Sequence, residues 1–338
     1  MATNQILQFA NSVSANVLTP SAYAAETALI ANGFVSGIAD SQTLNTVWRQ
    51  SSFVTTMIAD FIVNHANTNV NDDGNLPVLL SGFETALART FSPTIGSISG
   101  AKMSIATASA SGTFTADELI LENVLGGQTY KLSSYSQVIN LGTTGAGGMD
   151  TGTAPVSGYV ALYAIYNPTT FTASILATDC TSSVAPTIYG GSHLPSGYSG
   201  SALIGVLPTN GSSQFIAGIL QGKEFFFIPI SVLSSSTTHS SFTSLSVAGA
   251  VPKNAKTTSG YCLLTNDTAG DGVVLQLAAD VSGIGNKIFS ITAPIANSGI
   301  YLPFNTLPII TAQTIYYVFT NALGGTPSVN LVINSYTF

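Results

Sequence analysis

Charge is what this chain has least of. Only 7% of its 338 residues are Asp, Glu, Lys or Arg, against about 25% in an ordinary soluble domain. The formal net charge is −7, and no stretch concentrates Lys or Arg. A phosphate backbone therefore finds no basic footprint, which excludes nucleic-acid binding as an expectation. Long apolar runs are missing too. None reaches the ~18 residues of a membrane-spanning helix. The N-terminus shows no basic segment followed by an apolar core, so no secretory leader is expected. An outer-membrane barrel, which needs such a leader, loses rank with it. Cysteine is nearly absent: Cys180 and Cys262 sit in no paired motif. They read as two buried free thiols of a reducing compartment, with a disulfide between them left open.

Catalytic signatures are equally thin. Glycan cleavage needs two carboxylates about 5–10 Å apart. Residues 91–338 hold nine acids, of which Asp117, Glu118 and Glu122 cluster. On a strand, 118 and 122 share a face and 117 points away, so solvent-facing charges explain them better. The three histidines, His65, His193 and His239, fit no nucleophile elbow. His65 reads as a helix-end residue, His239 as a loop residue. Asn266 to Asp271 offers oxygen ligands, but it lacks calcium-loop spacing and a bidentate Glu; a hairpin turn explains it as well. Isolated Cys and His residues exclude a zinc site. The expectation is no enzyme, no metal and no cofactor.

What is present begins with helices. Thr19-Pro20 is a start signal, with Thr as N-cap and Pro at the first helical position. Alanines sustain that helix and Asn32-Gly33 ends it. Asp40, Ser41 or Asn45 caps a second helix. Its apolar face is Val54, Met57, Ile58, Phe61 and Ile62, spaced i, i+3, i+4, i+7, i+8. That face is expected to pack within its own domain. Trp48, Arg49 and Gln50 are set apart as an interface, with Asp40, Asp60 or a partner's carboxylate as mates for Arg49. A third helix opens at Pro77. Residues 1 to 18 lack a core pattern and are expected to be an extended anchor that orders only on a partner.

Beyond Phe91-Ser92-Pro93, the expected domain boundary, the apolar period changes from 3.6 to 2. Strand-like segments recur from Met103 to Tyr336, separated by Gly, Ser, Asn and Pro. Their spacing points to a sandwich or barrel-like fold, and the lack of a fixed repeat argues against a parallel β-helix. Ser231 to Ser241 reads as a divider between two lobes or one long loop. The expected organisation is α+β and multidomain. Residues 1–90 form a small helical domain. Residues 91–230 and 231–338 form β-sandwich domains, or together one jelly-roll-like unit. An apolar chain so poor in charge is expected to hide surface by self-association, which the resemblance given next makes a homotrimer.

Several segments, in order, carry a resemblance. They are Ser36-Gly37-Ile38-Ala39, Leu44-Asn45, Trp48-Arg49-Gln50-Ser51-Ser52 and Asp72-Asp73-Gly74, then Ser157 through Pro168, Leu194-Pro195-Ser196-Gly197-Tyr198 and the closing Tyr336-Thr337-Phe338. Together they resemble tail-fibre or tail-tip proteins of tailed bacteriophages. The resemblance implies a virion protein assembled in the host cytoplasm. It would be attached to tail or baseplate proteins through residues 1–90, with Trp48, Arg49 and Gln50 at the joint. Its distal part would contact a host-surface glycan or protein without inserting in the membrane. Sites of that kind stack sugar rings on loop aromatics, which selects Tyr189, His193 and Tyr198. The alternatives are a tail-borne glycan depolymerase and a purely structural collar or baseplate fibre.

Overall fold

The computed structural model describes residues 2–90 and 94–338; the expected break at Phe91-Ser92-Pro93 lies outside them. The chain divides into two compact units, Met1–Ser92 and Pro93–Phe338. It is mostly strand, in antiparallel sheets, with few helices.

The helices are α1 (Pro20–Ala25), α2 (Thr27–Asn32), α3 (Ser41–Ala66) and α4 (Leu76–Thr90), all in the first unit. The Thr19 hydroxyl accepts from the Ala22 N–H, and Gly33 closes α2 at φ 75°, so both ends follow the sequence signals. The expected single first helix is instead two, broken at Glu26. Asp40 is the N-cap of α3: its carboxylate accepts from the Thr43 N–H at 2.8 Å, and these bonds to Thr43 hold its pKa below the ordinary value. Asn67 ends α3 in the left-handed region at φ 53°.

The core of this unit is small. Ala59, Ile62 and Ala66 of α3 are buried with Ala86 of α4 and Val70. The Gly82 face of α4 meets Ile62 so closely that a Cβ there would lie 2.9 Å from its methyl group. Two expectations fail here. The apolar face of α3 packs only at Ile58, Phe61 and Ile62; Val54 and Met57 are 51% and 58% exposed. Within the expected anchor at residues 1 to 18, the described residues do not wait for a partner; from Asn4 to Leu18 they lie along α3 in the opposite direction. Asn4 pairs with Val70 and donates to Asp60 at 2.7 Å. The Phe9 N–H donates to Ser52, and the Leu18 N–H to Thr46 at 2.8 Å. This segment is tied by polar side chains of the helix, which a search for apolar periodicity overlooks.

The second unit holds sixteen strands among its described residues. They are β1 (Ile98–Ser99), β2 (Lys102–Ile105), β3 (Ser111–Glu122), β4 (Thr129–Asn140), β5 (Tyr159–Asn167), β6 (Thr172–Asp179), β7 (Gly200–Pro208) and β8 (Gly218–Gln221), followed by β9 (Glu224–Ser235), β10 (His239–Ser246), β11 (Thr257–Asn266), β12 (Gly272–Ala278), β13 (Lys287–Thr292), β14 (Ser298–Pro308), β15 (Thr314–Asn321) and β16 (Pro327–Thr337). The larger sheet runs β14-β11-β16-β9-β8-β2-β3-β7-β5-β6, with β1 and β4 also on β3; the smaller runs β10-β15-β12-β13. One hydrophobic core spans both. The unbroken apolar run of β5 is buried on both faces, as such a run demands. β11 alternates strictly, with Thr258, Gly260, Cys262, Leu264 and Asn266 inward. At its bulge a Cβ on Gly260 would lie 1.9 Å from the Val332 carbonyl oxygen, so only glycine fits.

The Ser231–Ser241 tract is not a divider. Its first half is β9, with Leu233 opposite Leu331 and Ser234 opposite Asn330 of β16, and β10 begins at His239. Its serines occupy exposed or half-buried ladder positions, where a polar side chain costs little. The ladder therefore passes through the expected boundary, and residues 93–338 are one unit. His239 is correspondingly a strand residue, its ring edge-on to Tyr317 at 5.3 Å.

Candidate functional site

The aromatic loop comes first. Tyr189 lies between the β6–β7 connection and the glycine-rich β4–β5 connection. Its hydroxyl donates to Asp150 Oδ2 at 2.8 Å and accepts from the His193 N–H at 3.3 Å. Its ring sits edge-on to Tyr163 at 5.5 Å. Burial first, then the hydrogen bond and charge of Asp150, push its pKa up to about 12, so it remains a donor at any ordinary pH. Tyr189 is only 9% exposed. Its ring face is therefore closed to a sugar, and its work here is to tie two loops together. The sequence showed a tyrosine among glycines, which looks the same whether the ring points in or out. His193 is exposed, with Nδ1 3.4 Å from the Ser192 hydroxyl. Tyr198 is half-buried against the core, on a turn where its N–H donates to the Pro195 carbonyl. The loop thus presents His193 and one side of Tyr198.

The interface residues of α3 come out differently. Trp48 is 55% exposed, and Phe9 stands edge-on to it at 6.0 Å. Arg49, Gln50 and Phe53 line a groove of 310 Å³ with Gln8, Ala10 and Asn11. Among the described residues Arg49 forms no ion pair; Asp60 is engaged by Asn4 and Asp40 by Thr43. The contribution of Phe9 and Phe53 was not foreseen; the position of Phe53 five residues after Trp48 was its only signal.

Glu118 and Glu122 do not assemble a hydrolytic pair. Glu118 pairs with Lys131 on the neighbouring strand at 2.7 Å. Glu122 is buried and accepts from the Gly126 N–H at 3.0 Å, capping the turn after β3. Four residues along a strand place the two about 13 Å apart, beyond the separation for glycoside hydrolysis.

Asp271 is the most heavily bonded carboxylate. It is fully buried. The Leu323 N–H donates to Oδ1 at 2.7 Å; the Gly325 N–H and the Asn266 amide donate to Oδ2, each at 3.0 Å. Burial alone would raise its pKa, but these donors hold it below the ordinary 3.8. Its oxygens are taken by N–H groups, so the loop is a polar clip joining the β11–β12 and β15–β16 connections. No cluster of metal-ligating side chains occurs among the described residues.

Cys180 and Cys262 are both free and buried. Burial, then the charge of Asp179, pushes the Cys180 thiol up to about 12; burial pushes Cys262 up to about 11. Neither is a nucleophile near neutral pH.

No protein-family profile and no curated protein matches this chain. Among solved structures, a chain in the structure of infectious bursal disease virus Gx strain is similar over 72% of this chain and 67% of its own length. The identity is 9% and the TM-score 0.19, a likeness too slight to support a fold or a function. No described helix is long and apolar enough to cross a membrane.

Proposed function

We propose that this chain is a non-enzymatic tail-fibre or tail-tip protein of a tailed bacteriophage. It acts as a homotrimer, mounted through residues 1–90 and contacting the host surface through its β unit. One observation carries the reading. An aromatic surface of the first unit, Phe9, Trp48 and Phe53, is left outside by its own fold beside an unpaired Arg49. Tryptophan and arginine are the side chains most often found at the centre of interfaces. In a chain with so few charges, such a surface calls for a partner. Receptor contact rests on the resemblance and on the exposed side of the Gly190–Tyr198 loop. The wide separation of Glu118 and Glu122 along β3 favours binding over cleavage at that cluster.

The test is the double variant Trp48→Ala, Arg49→Ala in full-length protein. It is expected to sediment as a trimer like the wild type and to fail to join tails. Normal incorporation into particles overturns the mounting role; a stable wild-type monomer overturns the trimer. Labelled protein should bind host cells and release no oligosaccharide from their polysaccharide. Released oligosaccharide would replace the reading with the depolymerase.

A further inference from the structure

Residues 93–338 hold six lysines, and three of them border one pocket. Lys223, Lys253 and Lys256 line a cavity of 370 Å³ in the β unit, with Leu203, Thr187 and Phe338 among its other walls. The elements that bring them together are distant in sequence. Lys223 is the tip of the two-residue β8–β9 hairpin, where Gly222 takes φ 61°. Its carbonyl accepts from the Phe338 N–H at 3.2 Å, which fixes the tip against the end of β16. Lys256 opens the approach to β11, its N–H donating to the Thr337 carbonyl at 2.8 Å. Lys253 is held at the rim, Nζ donating to the Ser182 carbonyl at 2.6 Å.

None of these ammonium groups has a carboxylate mate. Among the described residues the one ion pair is Lys131 with Glu118, elsewhere on the sheet. The acid beside Lys223, Glu224, is occupied by the Ser335 hydroxyl at 2.8 Å. Partial burial and then the nearby Lys256 charge lower the Lys223 pKa below its ordinary value. In a chain of net charge −7, random placement of lysines for solubility would scatter them among the acids. Here they are gathered and left unneutralised in a concavity of ligand size.

We propose that this pocket binds a phosphate monoester, its dianion set between the three ammonium groups and its carrier against the Leu203–Phe338 wall. A phosphate ester near neutral pH carries close to two negative charges and three acceptor oxygens, which matches three convergent lysines better than a single carboxylate does. The apolar wall suits the ring face of a sugar-sized group. The site belongs to the β unit and the mounting surface to the helical one, and the assignment does not depend on the tail role.

The test is calorimetric titration of the full chain, at low and raised salt, with glucose 1-phosphate, inorganic phosphate and glucose. Glucose 1-phosphate is expected to bind, more weakly as salt rises, and glucose not at all. Lys223→Gln and Lys256→Gln should each weaken binding roughly tenfold, since one charge-assisted contact is worth about 1.5–3 kcal/mol. Lys131→Gln should change nothing. Equal binding of inorganic phosphate would keep the site and assign it to free phosphate. Absence of binding by both phosphates, or unchanged binding by the Lys223→Gln, Lys256→Gln double variant, overturns the proposal. A second readout guards against a folding artefact. Without ligand at low salt, Lys223→Gln should melt higher than wild type, because it relieves repulsion, whereas a loss of fold would lower the melting temperature.

Discussion

The two units bury apolar surface on different scales. The first rests on five small or medium residues, three of them alanine. The second closes Tyr163, Tyr336, Phe114, Phe215, Phe225 and Phe319 completely inside one core. In the first unit the long helix is tied to the leading segment mainly by surface hydrogen bonds, such as Asn4 to Asp60 and Leu18 to Thr46. Those exchange readily with water and are each worth only about 0.5–1.5 kcal/mol. The second unit has a central strand, β5, with no face on solvent. The difference teaches that the chain's rigidity resides in residues 93–338. The helical unit is a low-stability element, the kind that opens first and gains most from a partner laid over its exposed aromatics.

The largest effect expected of that asymmetry is in unfolding. Trp48 is the only tryptophan and lies in the first unit, so its emission reports that unit alone. In urea, Trp48 emission should change well before the far-ultraviolet signal of the strands. Coincident transitions would break the comparison, because two probes in one cooperative unit must agree. Ile62→Ala should sharpen it. Ile62 is the largest side chain of the small core, and truncating such a residue costs about 2–5 kcal/mol. The tryptophan transition should then move to the start of the titration while the strand transition stays where it was.

The next effect is on acid stability of the β unit. The Asp271 carboxyl is held below 3.8 by the Leu323 and Gly325 N–H groups. A depressed folded-state value means the stabilisation is fully present above the ordinary carboxyl range. It is lost as pH falls through the folded value. The strand transition should therefore weaken progressively below about pH 4, beginning near the ordinary carboxyl pKa. Asp271→Asn should weaken it at neutral pH and flatten the acid slope, since an amide cannot accept from both sides of the clip. An unchanged slope in that variant would assign acid sensitivity elsewhere.

A smaller change is expected from Tyr336→Phe. The Tyr336 hydroxyl, fully buried, donates to the Val206 carbonyl at 2.6 Å and links β16 to β7. Losing that bond should cost about 1 kcal/mol, visible in the strand transition and not in Trp48 emission. If Trp48 emission moved as well, the units would be coupled more tightly than the contrast implies.

Much of the β unit was legible because apolar alternation and turn residues are local signals. β12 is such a strand, alternating buried with half-buried positions from Gly272 to Leu277. The polar strands were harder. The serine end of β9 carries no apolar period, its side chains being exposed or half-buried. Its ladder is set by a partner far along the chain. The docking of residues 4–18 on α3 was hidden for the same reason: single polar side chains specify it. The candidate sites divide along this line. Trp48 is exposed and Arg49 half-buried, and Phe9 meets Trp48 through the fold. The convergence of Lys223 with Lys253 and Lys256 has no sequence signal, because a hairpin tip and a distant turn meet only in the folded sheet. The inward turn of Tyr189 depended on Asp150, a residue in another loop.

The smallest effect on stability belongs to the residue on which the functional reading leans most. Trp48 is 55% exposed and touches Phe9 only edge-on at 6.0 Å. An aromatic pair of that geometry is worth about 0.5–1.5 kcal/mol beyond burial, and an exposed one falls at the low end. Trp48→Phe keeps a ring for Phe9 while removing the indole N–H and much of the outward area. It should leave the helical signal and melting of the first unit within about 0.5 kcal/mol of wild type. Yet at an interface centre the same change should weaken attachment strongly, since a buried tryptophan anchor contributes about 2 kcal/mol or more. Circular dichroism and a particle-incorporation assay on this variant separate the two roles. A large stability loss with incorporation falling in proportion would make Trp48 a support of the fold. Unchanged stability and unchanged incorporation would move the joint away from α3. Only the combination of an intact helical unit and lost incorporation fits a surface that its own fold leaves for another protein to cover.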